Sequence, residues 1–460
     1  MMLLSQIAQI LSGKLLGTDV EFSSVSSDSR SIAAGDLFVA LQGPNFDGAK
    51  FVACAAQSGA VAALVNAGSY RGAELPCPIL LVEDTRLAMG RLAAHWRAQF
   101  DLPIVGVTGS NGKTTVKEML ASIFRVAAGN DNAVLATAGN YNNDIGLPLT
   151  LLRLRKTHCY AVIEMGMNHA GEIDYLTRLT RPEVALINNA GSAHLAGLGS
   201  LDAIAHAKGE IFNGLTSQGT AIINADDAYM PLWRELAGEH TIIEFGLEKS
   251  VAVHAQWQAR EFGAHLVVST PMGKFEATLK VPGVHNVRNA LAATAAAVAL
   301  RIGTNAIAAG LEKFSGIGGR MQRKKARHGA TLIDDSYNAN PSSLRVALKV
   351  LAQNSGKKIL VLGDMGELGD DSVKLHIEAG AEARHMGVDV LLAMGELTVH
   401  TVNEFGPGAY HFEHSQDLLT ALDKQLDANC TVLVKGSRFM HMERVVQGMS
   451  EQGHNVPCLS

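Results

Sequence analysis

The sequence predicts an α/β protein of three domains: a small N-terminal α/β domain, a central domain with a mainly parallel sheet, and a C-terminal Rossmann-like α/β domain. Short apolar runs alternate with amphipathic helical patterns, which is typical of a parallel sheet. The chain has 460 residues, more than one hydrophobic core covers. One strand candidate passes through a glycine-rich turn directly into a helical pattern, over residues 104–124. These patterns place the domains at 1–84, 85–313 and 314–460.

The composition excludes several kinds of partner. The formal net charge of −5 gives no basic surface for nucleic acid or an acidic membrane. Five scattered cysteines without Cys-x-x-Cys spacing favour reduced thiols in the cytoplasm over a disulfide framework or a zinc site. The first positive charge, Lys14, follows the apolar N-terminal residues, so that stretch indicates an amphipathic helix rather than a secretory signal. The sequence has no apolar run of about 18 residues, so no membrane insertion is expected.

Two polar loops flank a strand candidate in the first domain. Ser29 and Arg30 precede the apolar run at 35–41, and Asp47 and Gly48 follow it in a turn cluster. Loops of this composition usually only connect elements, so a connecting role and a ligand-binding role both stay open. The pattern of residues 51–60 predicts a helix.

The central domain begins with a phosphate-binding pattern. The strand candidate 104–107 leads through glycines to Gly112-Lys113-Thr114-Thr115, and apolar residues then recur over 116–124 with helical spacing. Glycines let backbone N–H groups close around phosphate oxygens, and the helix N-terminus adds its positive dipole end. The pattern predicts a nucleoside triphosphate site, with Lys113 on the β- and γ-phosphates and a threonine hydroxyl on Mg²⁺. This makes the central domain a P-loop domain.

The pattern departs from the usual one at Val107, where a glycine is normally found five residues before Gly112. The alternative interpretation is a glycine-rich turn between strand and helix that carries a surface lysine. Because a strand and a helix flank the turn, we favour the triphosphate site.

Polar residues also follow two later strand candidates of the same sheet. Glu164 ends the apolar run 160–163, and His194 lies in the loop after the run 184–187. Ligands of open α/β sheets bind beyond the carboxyl ends of the strands, so a metal or phosphate role is one interpretation of both residues. A helix cap or a surface position is the competing interpretation.

Lys208 interrupts the apolar face of a predicted helix over 201–215. It lies four residues after Ile204 and three before Ile211, both apolar positions of that face. A lysine facing a core is costly unless it reaches solvent, pairs with an anion or is chemically altered. Further along, Asn286 precedes an Ala-rich helix predicted over 289–300 and could be its N-cap.

The last domain again alternates strand and helix. Strands are predicted at 331–333, 358–362, 390–393 and 431–434, and Gly319-Arg320 lies in a candidate hinge before them. Polar, glycine-containing loops follow three of these strands, at 334–341, 363–369 and 435–438, and indicate a binding crevice. A Gly-x-Gly-x-x-Gly dinucleotide fingerprint with its acidic partner is missing from the sequence.

Taken together, these motifs resemble the Mur ligases, ATP-dependent enzymes that add amino acids to the peptidoglycan precursor. The resemblance covers nearly the whole chain. It rests on these residues: 108–115, Glu164, His194, Lys208, His285-Asn286, Asn289-Ala290-Leu291, Gly319-Arg320 and Asp335. The stretches 140–148, 335–341, 363–365 and 434–438 are similar to family members that join D-alanyl-D-alanine to UDP-N-acetylmuramoyl-tripeptide. The family often has His after Asp-Gly in the first domain, where this chain has Ala49, which weakens a uridine role for that loop.

The resemblance implies a division of labour among the domains. The first domain would hold the UDP end of the substrate, the central domain would bind ATP with Mg²⁺, and the last would close over ATP and bring the dipeptide. A monomer is expected. The implied catalytic residues are Lys113, Glu164, His194, Lys208 and Arg320. The implied metal ligands are Thr115, Glu164, His194 and Lys208, the last as a carbamylated lysine.

The resemblance also implies the binding residues. Nucleotide contacts would come from Gly109, Ser110, Asn111, Gly112, Lys113, Thr114, Thr115, Asn286, Asn289, Arg320 and Asp335. Substrate contacts would come from Ser29, Arg30, Asp47, Gly48, Asn142 and Asn143. Two other functions stay open: another amide ligase of the same superfamily, such as a folylpolyglutamate synthetase, and a P-loop switch that hydrolyses nucleotide without an amino-acid acceptor.

Overall fold

Three large sheets occupy successive parts of the chain. The computed structural model describes residues 1–43, 46–70, 76–191, 198–260 and 262–450. The large sheets have five, nine and six strands and take up residues 14–82, 104–279 and 322–435. Two further sheets of two strands each lie in the first part, pairing residues 2–3 with 21–22 and residues 42–43 with 46–47. The boundaries predicted at 84/85 and 313/314 fall between the large sheets and stay a prediction of where the domains divide.

The first part of the chain forms a small mixed sheet with helices. Its strands are β1 (Met2–Leu3), β2 (Lys14–Leu16), β3 (Glu21–Phe22), β4 (Ser24–Ser26), β5 (Asp36–Val39), β6 (Gln42–Gly43), β7 (Phe46–Asp47), β8 (Ala62–Asn66) and β9 (Ile79–Val82), and its helices are α1 (Leu4–Leu11), α2 (Val52–Gln57) and α3 (Thr85–Arg97). The sheet order is β2-β9-β8-β5-β4, antiparallel only between β2 and β9. The helix predicted over 51–60 is shorter, because a tight turn at Gly48–Phe51 precedes α2.

The middle part forms the nine-stranded sheet. Its strands are β10 (Ile104–Thr108), β11 (Val134–Ala136), β12 (Tyr160–Glu164), β13 (Val184–Ile187), β14 (Thr220–Asn224), β15 (Thr241–Gly246), β16 (Val253–Arg260), β17 (Gly263–Thr270) and β18 (Gly273–Leu279). Its helices are α4 (Lys113–Ala128), α5 (Gly146–Leu151), α6 (Glu172–Thr180), α7 (Leu201–Gly209), α8 (Met230–Ala237), α9 (Val284–Ala299) and α10 (Thr304–Lys313). The predicted parallel pairing holds from β11 to β16, but β16, β17 and β18 are antiparallel.

Strand order brings the phosphate loop next to two other strand ends. The order β11-β12-β10-β13 puts β10 between β12 and β13, where the direction of strand addition reverses. Val107 pairs with Glu164 on one side and Thr108 pairs with Ile187 on the other. Ligands of open α/β sheets bind at such a switch point, so the residues that follow these three strands share one edge.

The last part forms a six-stranded sheet of order β19-β20-β24-β21-β22-β23. Its strands are β19 (Gln322–Lys325), β20 (Thr331–Asp335), β21 (Lys357–Gly363), β22 (Val390–Met394), β23 (Ala409–Phe412) and β24 (Cys430–Lys435), and its helices are α11 (Pro341–Ala352), α12 (Ser372–His385), α13 (Thr398–Phe405), α14 (Ser415–Asp423) and α15 (Glu443–Met449). All pairs are parallel except β19 with β20. The four predicted strands are present. None of the described helices is long and apolar enough to cross a membrane.

One apolar cluster joins the first two parts of the chain. Leu4 of α1, Met89 and Leu92 of α3, and Ile163 and Leu176 of the middle part all belong to it. The two clusters of the last part contain only residues from 321 to 449. The first two parts therefore share a core, whereas the last part packs around its own.

A buried arginine fixes the end of α3 to the middle part. The Arg97 guanidinium donates to the carbonyls of Thr180, Phe100 and Arg181 and to Glu183 Oε1 at 2.7–3.3 Å. The other Glu183 oxygen accepts from the backbone N–H of Ile104, the first residue of β10, at 2.6 Å. Arg97 is 7% exposed and Thr180 is fully buried, so the Thr180 carbonyl has little access to water as a substitute donor.

We predict that Arg97→Ala lowers the free energy of unfolding by about 2–4 kcal/mol, because it leaves buried acceptors and a carboxylate without their donor. Urea denaturation measures this change. Arg178→Ala is the matched control: its guanidinium is largely exposed in an i,i+4 pair with Asp174, so it should cost at most about 0.5 kcal/mol. Equal losses in the two variants would contradict the anchoring role.

Candidate active site

The phosphate loop joins β10 to α4 and leaves no room for a side chain at Gly112. Gly112 has φ +80°, and a Cβ there would lie 2.4 Å from Asn289 Oδ1 and 2.5 Å from Asn188 Nδ2. The departure at Val107 also has a physical reason. Val107 is fully buried inside β10, between β12 and β13, so the loop begins only after Thr108 and needs no glycine at 107.

The Lys113 ammonium already points at the loop. It donates to the carbonyl oxygens of Gly109 at 2.6 Å and Ser110 at 3.4 Å. Burial lowers the pKa of Lys113, the Glu164 carboxylate opposes that shift, and the Arg320 charge adds to it. The cation therefore lies against the loop that precedes α4, where a triphosphate bound at the helix N-terminus would neutralise it.

Glu164 presents one unpaired carboxylate oxygen. Its Oε1 accepts from Asn142 Nδ2 at 2.8 Å, and its backbone N–H donates to Thr137 Oγ1 at 2.9 Å. The Glu164 side chain is buried, and its Oε2 has no hydrogen-bond partner among the described residues. A buried carboxylate oxygen without a partner is costly, so this atom is suited to a cation.

These residues fit Mg²⁺ better than a metal held by protein alone. Within the described ranges there is no group of three or more His, Cys, Asp or Glu residues that could hold a metal. Mg²⁺ usually binds through one or two carboxylates together with substrate phosphates. Glu164 and the Thr115 hydroxyl line the same cavity as the phosphate loop, which matches that kind of site. His194 lies outside the described residues.

Lys208 does not reach solvent. It is 1% exposed near the end of α7, which stops at Gly209 and continues as a tight turn over Glu210–Gly214 instead of as the predicted helix to 215. No described residue accepts a hydrogen bond from its ammonium. Burial, and then the Lys113 charge, hold the pKa of Lys208 well below its usual range. The surface-reaching alternative is therefore wrong.

A chain of asparagine side chains braces the loop from the side of α9. Asn188 Nδ2 donates to the Asn111 carbonyl and to Asn289 Oδ1, both at 2.9 Å. Asn289 Nδ2 donates to Asn286 Oδ1 at 3.2 Å, and Asn286 Nδ2 donates to the Pro282 carbonyl at 2.7 Å. Asn286 is the third residue of α9 and Gly283 is its N-cap, so the N-cap interpretation of Asn286 is wrong.

The last part of the chain closes the site from the opposite side. Asp335 and Lys435 pair in register at the ends of β20 and β24, and Lys435 Nζ donates to Asp335 Oδ2 at 2.6 Å. Burial raises the pKa of Asp335, and the Lys435 charge acts in the opposite direction. The Arg320 guanidinium carbon lies 4.3 Å from the centre of the Tyr337 ring. These groups occupy the edge of the sheet that faces the phosphate loop.

A cavity of about 1110 Å³ lies between these two edges. Most of the predicted nucleotide and catalytic residues line it: Ser110, Asn111, Gly112, Lys113, Thr114, Thr115, Glu164, Asn286, Asn289, Arg320 and Asp335. Among the predicted substrate residues only Asn142 lines it. Gly109 and Lys208 are not among the lining residues.

The remaining substrate candidates lie elsewhere. Ser29 and Arg30 follow β4. Asp47 ends β7, and the Gly48 N–H donates to the carbonyl of Leu41, two residues after β5, at 2.8 Å. Because β4 and β5 are parallel neighbours, the four residues lie near the same edge of the first sheet. The Arg30 guanidinium pairs with Asp28 and lowers the pKa of that carboxyl to about 2. Asn143 Oδ1 accepts from the Gly146 N–H at the start of α5. Contact of these residues with a substrate stays a prediction.

Sequence reasoning missed Lys117, which supports the backbone of Glu164 through Thr137. Lys117 is 1% exposed, and its Nζ donates to the Thr137 carbonyl at 2.6 Å, while the Thr137 hydroxyl accepts from the Glu164 N–H. A signal was present: Lys117 precedes Leu120 by three residues and Phe124 by seven, so it lies on the apolar face of α4 as Lys208 does on α7. Asn188 was not predicted as part of the site, and Tyr337 and Lys435 were not singled out within the loops 334–341 and 435–438 that were predicted to form a binding crevice.

Comparisons with known proteins agree with this architecture. Family models of Mur ligases match three stretches: the Mur ligase family catalytic domain at residues 21–97, the Mur ligase middle domain at 107–297, and the Mur ligase glutamate ligase domain at 319–438. The chain belongs to the Mur ligase family of ATP-dependent amide ligases.

Particular relatives extend over the whole chain. The chain is 43% identical over 455 residues to UDP-N-acetylmuramoyl-tripeptide–D-alanyl-D-alanine ligase of Escherichia coli strain K12, covering 98% of each. It resembles a crystal structure of MurF from Acinetobacter baumannii with a TM-score of 0.87 and 38% identity, over 96% of this chain and 97% of that one. It also resembles MurF ligase from Thermotoga maritima in complex with ADP, with a TM-score of 0.80 and 27% identity, over 92% and 96%.

We predict that Gly112→Ala weakens binding of ATP at least 10-fold, because an added Cβ collides with the two asparagine side chains and the backbone is strained at positive φ. Calorimetric titration with a non-hydrolysable ATP analogue and Mg²⁺ measures this affinity. Gly129→Ala is the matched control. Gly129 ends the same helix with φ +65°, and a Cβ added there would have no described atom within 4 Å, so that variant should keep wild-type affinity. Unchanged binding in Gly112→Ala would refute the close approach.

Proposed function

We propose that this protein joins D-alanyl-D-alanine to UDP-N-acetylmuramoyl-tripeptide, with ATP converted to ADP and phosphate. The observation that carries the proposal is the cavity in which the phosphate loop and Glu164 face Arg320 and Asp335 across two sheet edges. Relatives named for this reaction match the chain almost end to end. The product is the UDP-linked pentapeptide precursor of peptidoglycan.

The chemistry follows from the charges in the cavity. A carboxylate is a poor acyl donor, so the terminal carboxylate of the tripeptide first attacks the γ-phosphate of ATP, forming an acyl phosphate and releasing ADP. The amine of D-alanyl-D-alanine then attacks the acyl carbon, the C–N bond forms, and inorganic phosphate leaves as the C–O bond breaks. Both partners of the first step are anions. Catalysis therefore depends on positioning and on cations that neutralise the developing charge.

The chain's own residues supply this neutralisation. The phosphate loop and Lys113 hold the β- and γ-phosphates, and Arg320 approaches from the last domain. Glu164, Thr115, His194 and a carbamylated Lys208 are the proposed Mg²⁺ ligands, and bound Mg²⁺ would add charge neutralisation on the phosphate oxygens. Asn286 and Asn289 orient the nucleotide, and Asp335 contacts its ribose once ATP is bound.

The first domain takes the UDP end of the substrate. Ser29, Arg30, Asp47 and Gly48 lie beyond the carboxyl ends of β4 and β5, the edge at which α/β sheets bind ligands. Asn142 and Asn143 belong to a loop that would contact the substrate between its UDP end and the cavity. One chain supplies all the groups named here, so we expect a monomer. The four described cysteines are free, as expected for a protein of the cytoplasm.

The central test combines donor and acceptor in all pairs and measures ADP release together with the mass of the product. We expect ADP and the new amide only when UDP-N-acetylmuramoyl-tripeptide and D-alanyl-D-alanine are both present with ATP. Turnover with a folate and glutamate instead would favour a folylpolyglutamate synthetase. ATP hydrolysis that ignores both acceptors would favour a nucleotide switch.

Lys208 is the proposed carbamate. Burial, and then the Lys113 charge, lower the pKa of Lys208 and so favour its neutral amine, the form that attacks CO₂ to give a carbamate and a proton. The new anion would be able to bind a cation where an ammonium cannot.

We predict that Lys208→Ala lowers the ligation rate at least 100-fold and that formate or acetate restores part of it. Wild-type protein in ¹³C-bicarbonate should show a carbamate carbon signal that the variant lacks. Lys117→Ala is the control for rescue, since Lys117 is equally buried but already donates to a carbonyl; short carboxylates should not restore its activity. A wild-type spectrum without a carbamate signal would remove the proposal.

A further inference from the structure

Five lysine and arginine side chains line the described cavity: Lys113, Arg288, Arg320, Lys435 and Arg438. Two of them, Lys113 and Lys435, are already held by other groups of the protein. Lys113 is enclosed by the phosphate loop. Lys435 is buried against Asp335 Oδ2 and the Asn338 carbonyl, at 2.6 and 2.8 Å. These two cations have no freedom to bind a further anion that differs from the nucleotide.

The two arginines nearest the middle sheet are also accounted for. Arg288 Nη2 donates to Glu248 Oε1 at 2.5 Å, and Arg288 lies on α9 between Asn286 and Asn289, the residues proposed to orient the nucleotide. Arg320 is close enough to Lys113 for its charge to affect the pKa of that lysine, so it belongs with the phosphates. The incoming dipeptide nevertheless ends in a carboxylate, and an anion brought into a cavity with ATP needs its own cation.

Arg438 has N–H donors that make no hydrogen bond to a described residue. It begins the tight turn Arg438–Met440 directly after β24, and its side chain is 56% exposed. Its Nη1 donates to Glu443 Oε1 at 3.0 Å. A guanidinium group has five N–H donors in a fixed planar fork, so the Nε and Nη2 edge is available for a bidentate contact with a carboxylate.

Tyr337 lies beside both Arg438 and Arg320. The guanidinium carbons of Arg320 and Arg438 lie 4.3 and 5.6 Å from the centre of the same Tyr337 ring. All three residues line the cavity that also contains the phosphate loop. A dipeptide held at Arg438 by its carboxylate would therefore lie in the same cavity as the proposed acyl phosphate.

Phe439 offers an apolar surface beside this arginine. It is 59% exposed although it lines the cavity, and it packs edge-on against Gly366, where a Cβ would lie 2.8 Å from Phe439 Cε1. An exposed aromatic ring in a binding cavity indicates contact with an apolar ligand group. The two methyl groups of D-alanyl-D-alanine are such groups.

We propose that Arg438 binds the C-terminal carboxylate of the incoming dipeptide, with Phe439 contacting the alanine methyl groups. The inference rests on the proposed function and names the part of the site that selects the acceptor.

The test compares D-alanyl-D-alanine with D-alanyl-D-alanine amide, which keeps the amine and both methyl groups but lacks the carboxylate. Wild-type protein should prefer the acid by about 10- to 100-fold in kcat/KM, the range expected for charge-assisted hydrogen bonds. Arg438→Ala should lose that factor on the acid only, mainly through a higher KM for the acceptor. Its KM for ATP and its slow rate with the amide should match those of the wild type.

Two further variants separate this role from a general loss of structure. Arg345→Ala is the matched control, because Arg345 is 58% exposed, pairs with Glu382 at 2.6 Å and lies in the same domain outside the cavity lining; it should keep the wild-type preference. Phe439→Ala should weaken acid and amide equally. An Arg438→Ala variant that loses equal activity on acid and amide would overturn the proposal. Wild-type turnover of the acid establishes the ligase function independently of that outcome.

Discussion

Three lysine side chains are buried around the active site, and the free-energy cost of burying an ammonium group limits which groups can surround them. Lys117, Lys208 and Lys435 are each 1% exposed, and a buried ammonium is tolerated only when it is paired, hydrogen-bonded or neutral. Lys435 has the Asp335 carboxylate, and Lys117 has the Thr137 carbonyl together with the Glu118 carboxylate at 2.7 Å. Lys208 has neither within the described ranges, and it lies close enough to Lys113 to be repelled by it. The fold therefore favours the uncharged form of Lys208, which is the reactive one.

Two of these lysines also support a group that faces the cavity. Lys117 holds Thr137, which in turn holds the backbone of Glu164, so the unpaired Glu164 oxygen is directed from behind. Lys435 holds Asp335 at the end of the neighbouring strand. The asparagine chain from Asn286 to Asn188 does the same for the phosphate loop without any charge. The site is preorganised from both sides before a substrate enters, and preorganised charge is the form in which electrostatic stabilisation is most effective.

The sequence predicted what depends on local pattern and missed what depends on pairing. The strand at 184–187, the start of α4 and the apolar position of Lys208 follow from spacing along the chain alone. The sequence did not predict that β16, β17 and β18 pair in antiparallel fashion, because alternation of apolar and polar residues identifies a strand but not the direction of its neighbour. The Asp335–Lys435 contact joins residues 100 apart and requires the register of β20 against β24. Lys117 is the exception, because its helical spacing already carried the same signal as that of Lys208.

The shared core of the first two parts has a mechanical consequence. Apolar side chains and Arg97 cross from the first part to the middle part, so separating those two parts would expose a shared core. The last part has cores of its own. One polar link between it and the phosphate loop is the hydrogen bond from Asn340 Nδ2, the N-cap residue of α11, to Asn111 Oδ1 at 3.3 Å. A single such bond contributes about 0.5–1.5 kcal/mol, a small cost to break beside that of exposing a shared apolar core.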